Sequence, residues 1–186
     1  MRYLVSGHKG FLFSSLPLEG TIVPYEDGSN YFGVDEVIHF ACPNDKYEFQ
    51  DIGNMAYMMV DYSIGILEQA LNNGAKFIFA SSHAAVHLQD DYGVYKKSFE
   101  QYIHARTDNY LIYRIPRIYG SDRKKGLMRQ LRENDIPDSD MDKEVDYLDI
   151  SDFQKWFMEN MDKTGIITYD GEFRRNTIKE IEKIYI

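Results

Sequence analysis

This sequence of 186 residues contains only one cysteine and has fewer basic than acidic side chains. Its single cysteine, Cys42, has no second cysteine in the chain with which to form a disulfide. The first residues show no signal-peptide pattern, and no apolar run approaches the length of a membrane span. These absences predict a protein of the reducing cytoplasm that has no membrane partner.

The charge balance argues against a nucleic-acid partner. Acidic side chains number 30 against 21 basic ones, and the formal net charge of -9 opposes attraction to nucleic-acid phosphates. Among the five histidines, His83 and His87 are spaced four residues apart, but no carboxylate or cysteine stands beside them at metal-ligand spacing. We therefore expect a small-molecule ligand, with no nucleic acid and no metal.

What the sequence does contain is an alternation of short apolar runs with longer amphipathic stretches, the order of β-α units that feed a parallel sheet. There is no internal repeat, and the length fits a single domain, 1–186. Apolar residues at three- and four-residue spacings predict two long helices, 54–73 and 92–106. The predicted strands are 3–6, 21–24, 36–40, 77–80, 110–114 and 165–169.

The turn Gly7-His8-Lys9-Gly10-Phe11 follows the first predicted strand and precedes a short predicted helix. Glycines at such a place let backbone N–H groups approach a pyrophosphate. A G-x-x-G turn on its own is more often an ordinary strand-to-helix connection. Its position after the first strand is what makes it a candidate dinucleotide site.

Two further motifs carry polar chemistry. Tyr92 and Lys96 lie one turn apart on a predicted helix, where an ammonium near a phenol favours the phenolate and suits acid/base work. Ser81 and Ser82 follow an apolar strand, at the edge where parallel sheets bind ligands and a hydroxyl can bond a substrate carbonyl. Taken singly, the first motif is more often a solvated helix face and the second more often a turn cap.

The order of the motifs along the chain is more specific than any one of them. After the glycine turn come Val37-Ile38-His39-Phe40-Ala41, Ser81-Ser82, Tyr92 to Lys96, and Arg114-Ile115-Pro116-Arg117-Ile118-Tyr119-Gly120. This series resembles the extended short-chain dehydrogenases/reductases, the NAD(P)-dependent epimerases, dehydratases and reductases of nucleotide sugars. Their marks are G-x-x-G-x-x-G, V-I-H-x-A, S-S or S-T, Y-x-x-x-K and R-x-x-x-x-Y-G. Residues 147–152 are similar to their F-x-H-V-x-D stretch, with Asp149 in place of the histidine.

The resemblance implies an α/β fold, a Rossmann-like, doubly wound and mainly parallel sheet, and an enzyme that moves a hydride to or from a sugar or nucleotide-sugar. It makes Tyr92 the general acid/base, Lys96 its partner and ribose ligand, and Ser82 the donor to the reacting oxygen. The residues expected to bind the cofactor are Gly7, Lys9, Gly10, Phe11, Glu26, Ala41, Tyr92, Lys96 and Pro116.

Substrate contacts are expected from Ser82 and from two arginines of a basic run, Arg117 and Arg123. That run fits either the diphosphate of a nucleotide-linked substrate or a solvated helix face. Residues 1–120 would form the dinucleotide-binding core, and 121–186 a small substrate-side segment with an exposed loop at 134–143.

Three departures from the family pattern carry expectations of their own. Phe13 stands where the family has its third glycine. The interval 27–34 has no room for the usual helix, strand and helix, so a strand and much of the adenine pocket should be missing. Glu26 and Asp27 fit the ribose hydroxyls of NAD, while Lys9 fits the 2′-phosphate of NADP. Because Gly-His-basic-Gly resembles the turn of the NADP-using GDP-fucose synthases, NADP is favoured and NAD stays open.

Two further expectations concern assembly and activity. The resemblance implies a homodimer in which the helices 54–73 and 92–106 pair with their symmetry mates. The alternative function is a catalytically silent member of the fold that binds a nucleotide or a partner protein, as Phe13 and the missing strand suggest. Against it stands the presence of Ser82, Tyr92 and Lys96, since a protein without turnover has no chemical need of all three.

Overall fold

The computed structural model describes residues 1–41, 57–88 and 90–186. Cys42 and residues 54–56, the start of the first predicted helix, lie outside these ranges. The strands are β1 Arg2–Ser6, β2 Thr21–Pro24, β3 Glu36–His39, β4 Lys76–Ser82, β5 Tyr110–Ile115, β6 Ile118–Tyr119, β7 Glu144–Asp149, β8 Gly165–Thr168 and β9 Arg174–Thr177.

Helices alternate with these strands along the chain. They are α1 Phe11–Ser14, α2 Tyr62–Asn73, α3 Ala84–His87, α4 Asp91–Arg106, α5 Leu127–Arg132, α6 Ile150–Glu159 and α7 Ile178–Tyr185. A π-helical turn, Tyr57–Asp61, leads into α2, and a single 3₁₀ turn, Asp138–Asp140, lies within the predicted loop 134–143.

The central sheet has six strands in the order β2-β1-β3-β4-β5-β8, and every neighbouring pair is parallel. All six are the strands predicted from the sequence, with ends moved by one or two residues. The prediction succeeds because a parallel sheet covered on both faces needs continuous apolar runs. The run 77–80 is one of these, and all four of its side chains are buried.

Two apolar layers, one on each face of the sheet, make the fold doubly wound as predicted. On one face, Val37 and Phe79 pack with Ile66 of α2 and Phe99 of α4. On the other face, Ile38, Ile78 and Tyr113 pack with Phe153 and Phe157 of α6. The alternation of side chains along each strand assigns neighbouring residues to opposite layers.

The strand order reverses beside β1, because the chain passes from β1 out to β2 and then back to β3 on the other side. In open parallel sheets, ligands bind at the carboxyl ends of the strands at such a switch point. No strand lies beyond β2 in the described part of the chain, which agrees with the predicted loss of a strand. The glycine turn after β1 stands at this switch point.

The C-terminal segment contributes to two sheets. Its strand β8 extends the central sheet beside β5, whereas β6, β7 and β9 form a small sheet of their own. In the small sheet β6 pairs parallel with β7, and β7 pairs antiparallel with β9. The helix α7 follows β9 directly and begins at a capping box formed by Thr177 and Glu180. Because β6 begins at Ile118, three residues after β5 ends at Ile115, the small sheet adjoins the carboxyl end of β5.

Candidate active site

A cavity of about 770 Å³ opens at the carboxyl edge of the central sheet, between β4, β5, the start of α4 and the small sheet. Its size is that of a pocket for a drug-sized or cofactor-sized molecule. The lining residues are Leu12, Phe40, Ala80, Ser81, Ser82, His83, Tyr92, Lys96, Ile115, Pro116, Arg117, Ile118, Arg123, Glu144, Val145, Asp146 and Phe173. The three expected catalytic residues therefore share one cavity wall.

Ser82 ends β4 and takes part in the cavity wall through its hydroxyl group. Its Oγ accepts a hydrogen bond from the backbone N–H of Ala84 at 3.2 Å. The preceding residue, Ser81, instead donates its hydroxyl to Oε1 of the buried Glu100 at 2.6 Å. Strand alternation thus gives the two serines different partners.

A buried ion pair stands behind this strand end. The guanidinium of Arg114 on β5 donates to both oxygens of Glu100 on α4, at 3.0 and 2.6 Å. Lys97 lies 3.7 Å from the same carboxylate. Because β4, β5 and α4 all meet at Glu100, this group fixes the helix that carries Tyr92 and Lys96 against the sheet. No local sequence pattern indicates this role of Glu100.

The N-terminus of α4 places Tyr92 at the cavity. The side chain of Asp90 caps the helix by accepting the N–H of Gly93 at 2.7 Å. Gly93 lies so close to α3 that a Cβ atom there would collide with the carbonyl oxygen of Ala84. Only glycine permits this approach. Gly93 therefore allows the start of α4 to pack directly on Ala84, the first residue of α3.

Lys96 is 2% exposed, and its Nζ donates to the carbonyl oxygen of Ala80 at 2.7 Å. The ammonium lies 4.5 Å from the centre of the Phe79 ring and 5.5 Å from the centre of the Tyr92 ring. These distances are those of cation–π contacts, which stabilise a cation withdrawn from water. A positive charge therefore stands beside Tyr92, as the spacing of the two residues predicts.

His39 is a buried neutral group beneath the site. Its ring nitrogens contact the hydroxyls of Ser6 and Ser63 at 2.6 and 2.9 Å. Burial lowers the pKa of His39 to about 3, and the positive charge of Lys96 acts in the same direction. The imidazole thereby ties β1, β3 and α2 together as a neutral hydrogen-bonding group.

The glycine turn makes a close approach to the end of β3. Gly7 has φ +76°, and a Cβ atom there would lie 2.7 Å from the backbone nitrogen of Ala41. The N–H of Gly10 donates to the carbonyl of Gly7 at 2.8 Å, and Lys9 is exposed. The ring of Phe11 underlies the guanidinium of Arg123 at 5.6 Å. The turn and Ala41 thus lie together at the switch point.

The missing glycine has a visible consequence in the structure. Phe13 occupies its place, and its ring centre lies 6.2 Å from that of Phe40, a cavity residue. The helix α1 is only four residues long. The turn is therefore followed by a four-residue helix and carries an aromatic contact at Phe13.

The two acids after β2 have different surroundings. Glu26 is exposed, whereas Asp27 accepts hydrogen bonds from the hydroxyl of Tyr25 at 3.2 Å, the hydroxyl of Tyr57 and the N–H of Gly28 at 3.1 Å. The bond from Tyr57 is the main reason that the pKa of Asp27 is lowered. The Asp27 carboxylate is thus already satisfied by the protein, and neither acid lines the cavity.

Charged side chains of both signs form the outer wall. Arg117 is exposed and Arg123 half-buried, and both line the cavity. Arg132 donates to the backbone carbonyls of Ser121 and Arg123, which holds the loop that carries Arg123. On the facing strand β7, Asp146 makes a two-point ion pair with Arg175 at 2.6 and 2.8 Å. The site therefore combines cations with a rim of carboxylates.

Several cavity residues were not found by sequence reasoning, namely Leu12, Phe40, His83, Glu144, Asp146 and Phe173. Of the predicted cofactor residues, Gly7, Lys9, Gly10, Phe11, Glu26 and Ala41 lie outside the cavity lining. Asp149 caps α6 by accepting the N–H of Ser151 at 2.9 Å and also accepts the hydroxyl of Tyr185 at 2.5 Å.

Among the described residues, no group of three or more His, Cys, Asp and Glu side chains is arranged to hold a metal ion. Within the same ranges, no helix combines the length and the apolarity that crossing a bilayer requires.

No protein-family model and no curated protein sequence matches this chain. Solved structures do resemble it. An NADP complex of dTDP-4-dehydrorhamnose reductase from Bacillus anthracis superposes with a TM-score of 0.74 at 15% identity, over 99% of this chain and 79% of the reductase. The chain has the fold of nucleotide-sugar reductases.

Epimerase structures resemble the chain to the same degree. UDP-glucose 4-epimerase from Thermus thermophilus with NAD gives a TM-score of 0.73 at 18% identity, over 98% of this chain and 81% of the epimerase. UDP-N-acetylglucosamine 4-epimerase from Methanobrevibacter ruminantium, in complex with UDP-N-acetylmuramic acid, gives 0.75 at 17% identity, over 98% and 80%. The predicted Rossmann-like fold is confirmed by these likenesses.

Proposed function

We propose that this chain is an NAD(P)-dependent oxidoreductase, epimerase or dehydratase that acts on a sugar or nucleotide-sugar. The observation that carries the proposal is the placement of Ser82, Tyr92 and Lys96 around one cavity at the carboxyl edge of the sheet. Ser82 ends β4 while Tyr92 and Lys96 lie on α4, and a solvated helix face or a simple turn cap would not bring all three to one cavity. The Ser-Tyr-Lys set is the catalytic group of this proposal.

Each residue has a distinct part in the proposed chemistry. Tyr92 moves the proton to or from the substrate oxygen, and the ammonium of Lys96 beside its ring favours the phenolate. Ser82 donates its hydroxyl to the same substrate oxygen, because its Oγ already accepts the N–H of Ala84. A bound nicotinamide supplies the hydride chemistry.

The residues present fit such a cofactor at the switch point. Gly7 and Gly10 leave the turn after β1 without side-chain bulk, and the backbone at Ala41 is in direct reach of Gly7. Pro116, Tyr92 and Lys96 line the cavity on the side expected for the nicotinamide ribose. The reductase and the first epimerase described above hold NADP and NAD respectively, which supports a nicotinamide dinucleotide here.

We propose NADP as the preferred form. Asp27 is occupied by Tyr25, Tyr57 and Gly28, so it is poorly placed to take the ribose hydroxyls of NAD. Lys9 is exposed beside the turn and offers a cation to a 2′-phosphate. The exposed Glu26 favours NAD instead, so the relative affinities of the two cofactors decide between them.

Titration of NADPH and NADH, followed by nicotinamide fluorescence, tests the cofactor. Gly10→Glu should abolish the response by placing bulk and negative charge in the turn. Ala105→Glu is the control for the added charge, since Ala105 is exposed near the end of α4, at the opposite edge of the sheet. If the wild-type protein responds to neither cofactor at up to about 1 mM, the proposal is wrong.

The substrate is proposed to be a nucleotide-linked sugar. Arg117 and Arg123 offer two guanidinium groups on one side of the cavity, suited to a diphosphate. The acidic rim formed by Glu144 and Asp146 suits sugar hydroxyls, which donate hydrogen bonds to carboxylates. A turnover screen of nucleotide-linked and free keto-sugars tests this assignment.

The second candidate is a silent member of the fold that binds a nucleotide or a partner protein. Phe13 in the glycine turn and the absence of a strand beyond β2 in the described ranges favour it. Cofactor binding without turnover on any substrate of the panel would select this candidate. Turnover that depends on Tyr92 would exclude it.

We also propose a cytoplasmic homodimer. Exposed apolar side chains occur on the π-helical turn before α2, at Tyr57 and Val60, and on α4 at Val94. Side chains of this kind are buried when helices of two subunits pair. Sedimentation at micromolar concentration should give the dimer mass, and a monomer would remove this part of the proposal.

A further inference from the structure

His83 is a cavity residue to which the proposed reaction assigns no part. It follows Ser82 at the end of β4 and lines the cavity with it. Its backbone N–H donates to the carbonyl of Ile115 at 3.0 Å, which fixes it against β5. The backbone of His83 is therefore as firmly placed as that of the serine.

The side chain of His83 is incompletely bonded. Its Nε2 is buried and has no hydrogen-bond partner among the residues that the structure describes. Within the same ranges Oε2 of Glu36 shares this condition, and Glu36 does not line the cavity. Buried polar atoms are nearly always paired in folded proteins, so an unpaired one in a cavity wall calls for a ligand or a water molecule.

The surroundings of His83 favour a neutral ligand group. Burial lowers the pKa of His83, and the neighbouring His87 and Arg114 act in the same direction. A neutral imidazole has one N–H donor and one acceptor, which suits a hydroxyl, itself both donor and acceptor. The ring of Phe173 packs edge-to-face on the imidazole with centres 6.0 Å apart, and this phenyl group is 40% exposed.

We propose that His83 is a substrate-binding residue whose Nε2 hydrogen-bonds a sugar hydroxyl next to the oxygen held by Ser82. The proposal rests on the proposed function, since it places a sugar in this cavity. His83 has left the extended conformation of β4, with φ -55° and ψ -28°, and lines the same cavity as Ser82, so the two side chains can reach oxygens on neighbouring carbons of one ring. Because Nε2 is covered, we expect the entering sugar to displace the ring of Phe173, which contacts the imidazole and is 40% exposed.

The test compares nucleotides with and without a sugar. Calorimetry would measure the Kd of UDP and UDP-glucose, and of dTDP and dTDP-glucose, in the presence of NADPH. His83→Phe should weaken binding of the sugar nucleotides about tenfold, as for a lost hydrogen bond, and leave the nucleoside diphosphates unchanged. His83→Gln, which retains a donor and an acceptor, should restore most of the affinity. His87→Phe, at the exposed histidine four residues on, is the matched control and should change nothing.

The outcomes separate this inference from the proposed function. Wild-type protein that binds NADPH, together with a His83→Phe variant that binds UDP-glucose and dTDP-glucose as tightly as the wild type, contradicts the inference alone. The same holds if the wild type binds NADPH but neither sugar nucleotide. Failure to bind NADPH or NADH contradicts both. The unfolding midpoint of His83→Phe should not fall, because the substitution removes an unpaired buried nitrogen, and a large fall would show a structural role instead.

Discussion

The guanidinium of Arg114 donates two hydrogen bonds to the carboxylate of Glu100, from Nε to Oε1 at 3.0 Å and from Nη2 to Oε2 at 2.6 Å. The carboxylate is 1% exposed and also accepts the hydroxyl of Ser81 at 2.6 Å. Strand β4, strand β5 and helix α4 thus share one buried charge. The geometry of Ser82, Tyr92 and Lys96 depends on these same three elements.

Arg114→Met should destabilise the protein by about 3 to 5 kcal/mol, because it removes both guanidinium hydrogen bonds and leaves the buried Glu100 with only the more distant ammonium of Lys97, 3.7 Å away. Arg106→Met is the matched control. It removes the exposed Arg106–Glu68 pair, whose closest N–O distance is 2.7 Å, and should cost about 1 kcal/mol or less. Urea denaturation measures the free energy of unfolding of both variants. Equal losses would show that the buried ion pair stabilises the protein no more than the exposed one.

Gly7→Ala should both destabilise the fold and abolish cofactor binding. Gly7 has φ +76°, and its added Cβ would lie 2.7 Å from the nitrogen of Ala41. Gly28→Ala has nearly the same φ, +78°, and nothing within 4 Å of the new atom. Gly28→Ala should lower the free energy of unfolding by only about 1 kcal/mol, the cost of placing alanine at a positive φ. Gly7→Ala should lower it by at least about 1 kcal/mol more, because of the added steric clash. Thermal denaturation of the two variants gives the difference, and similar midpoints would refute the close approach.

The central sheet was predictable because its strands are short, continuously apolar and separated by turn residues. The small sheet was not, because β6 has two residues and β9 reads Arg-Arg-Asn-Thr, with no apolar side chain. Their pairing is set by β7 and by the layer beneath, which includes Tyr147 and Ile181. The helix α7 did carry a signal, the capping box of Thr177 and Glu180 ahead of isoleucines.

The candidate site likewise has residues that the sequence indicates and residues that it does not. Tyr92 and Lys96 are recognisable because one helical turn relates them, and Ser82 because a buried strand ends there. Glu100 was not recognisable, since its partner Arg114 is brought to it by the packing of a helix on a strand. His83 became a candidate only through the unpaired nitrogen that its surroundings leave. Contacts between distant elements have no local pattern in a single sequence.

His39 should make stability depend on pH. Its folded pKa is about 3, below the unfolded value of 6.5, so the unfolded state binds the extra proton between these values. The stabilisation is fully present above pH 6.5 and is lost as the pH falls toward 3, by an amount on the order of 4 kcal/mol. Urea denaturation of wild type and His39→Gln between pH 7 and pH 4.5 should give a flatter profile for the variant. His87→Gln should keep the wild-type profile, and parallel profiles for all three would contradict the assignment.

Tyr92→Phe should bind the cofactor normally and lose about 10² to 10⁴ in turnover, as expected when a general acid/base is removed. The reason is that the ring supplies the contact with the Lys96 ammonium, 5.5 Å from its centre, while only the hydroxyl oxygen transfers the proton. Tyr102→Phe, on the same helix at a hydroxyl that accepts Arg106 at 2.9 Å, is the control and should retain full activity.

Lys96→Met should differ from Tyr92→Phe by weakening cofactor binding as well as turnover. Lys96 is proposed both to favour the phenolate and to hold the nicotinamide ribose, and its buried Nζ already donates to the carbonyl of Ala80 at 2.7 Å. Its loss therefore leaves that carbonyl unpaired and should also lower the unfolding midpoint. The measurements are a fluorescence titration with NADPH and initial rates on a substrate found by the sugar panel. If Tyr92→Phe keeps its full rate on that substrate, Tyr92 is not the acid/base, whatever the cofactor titration shows.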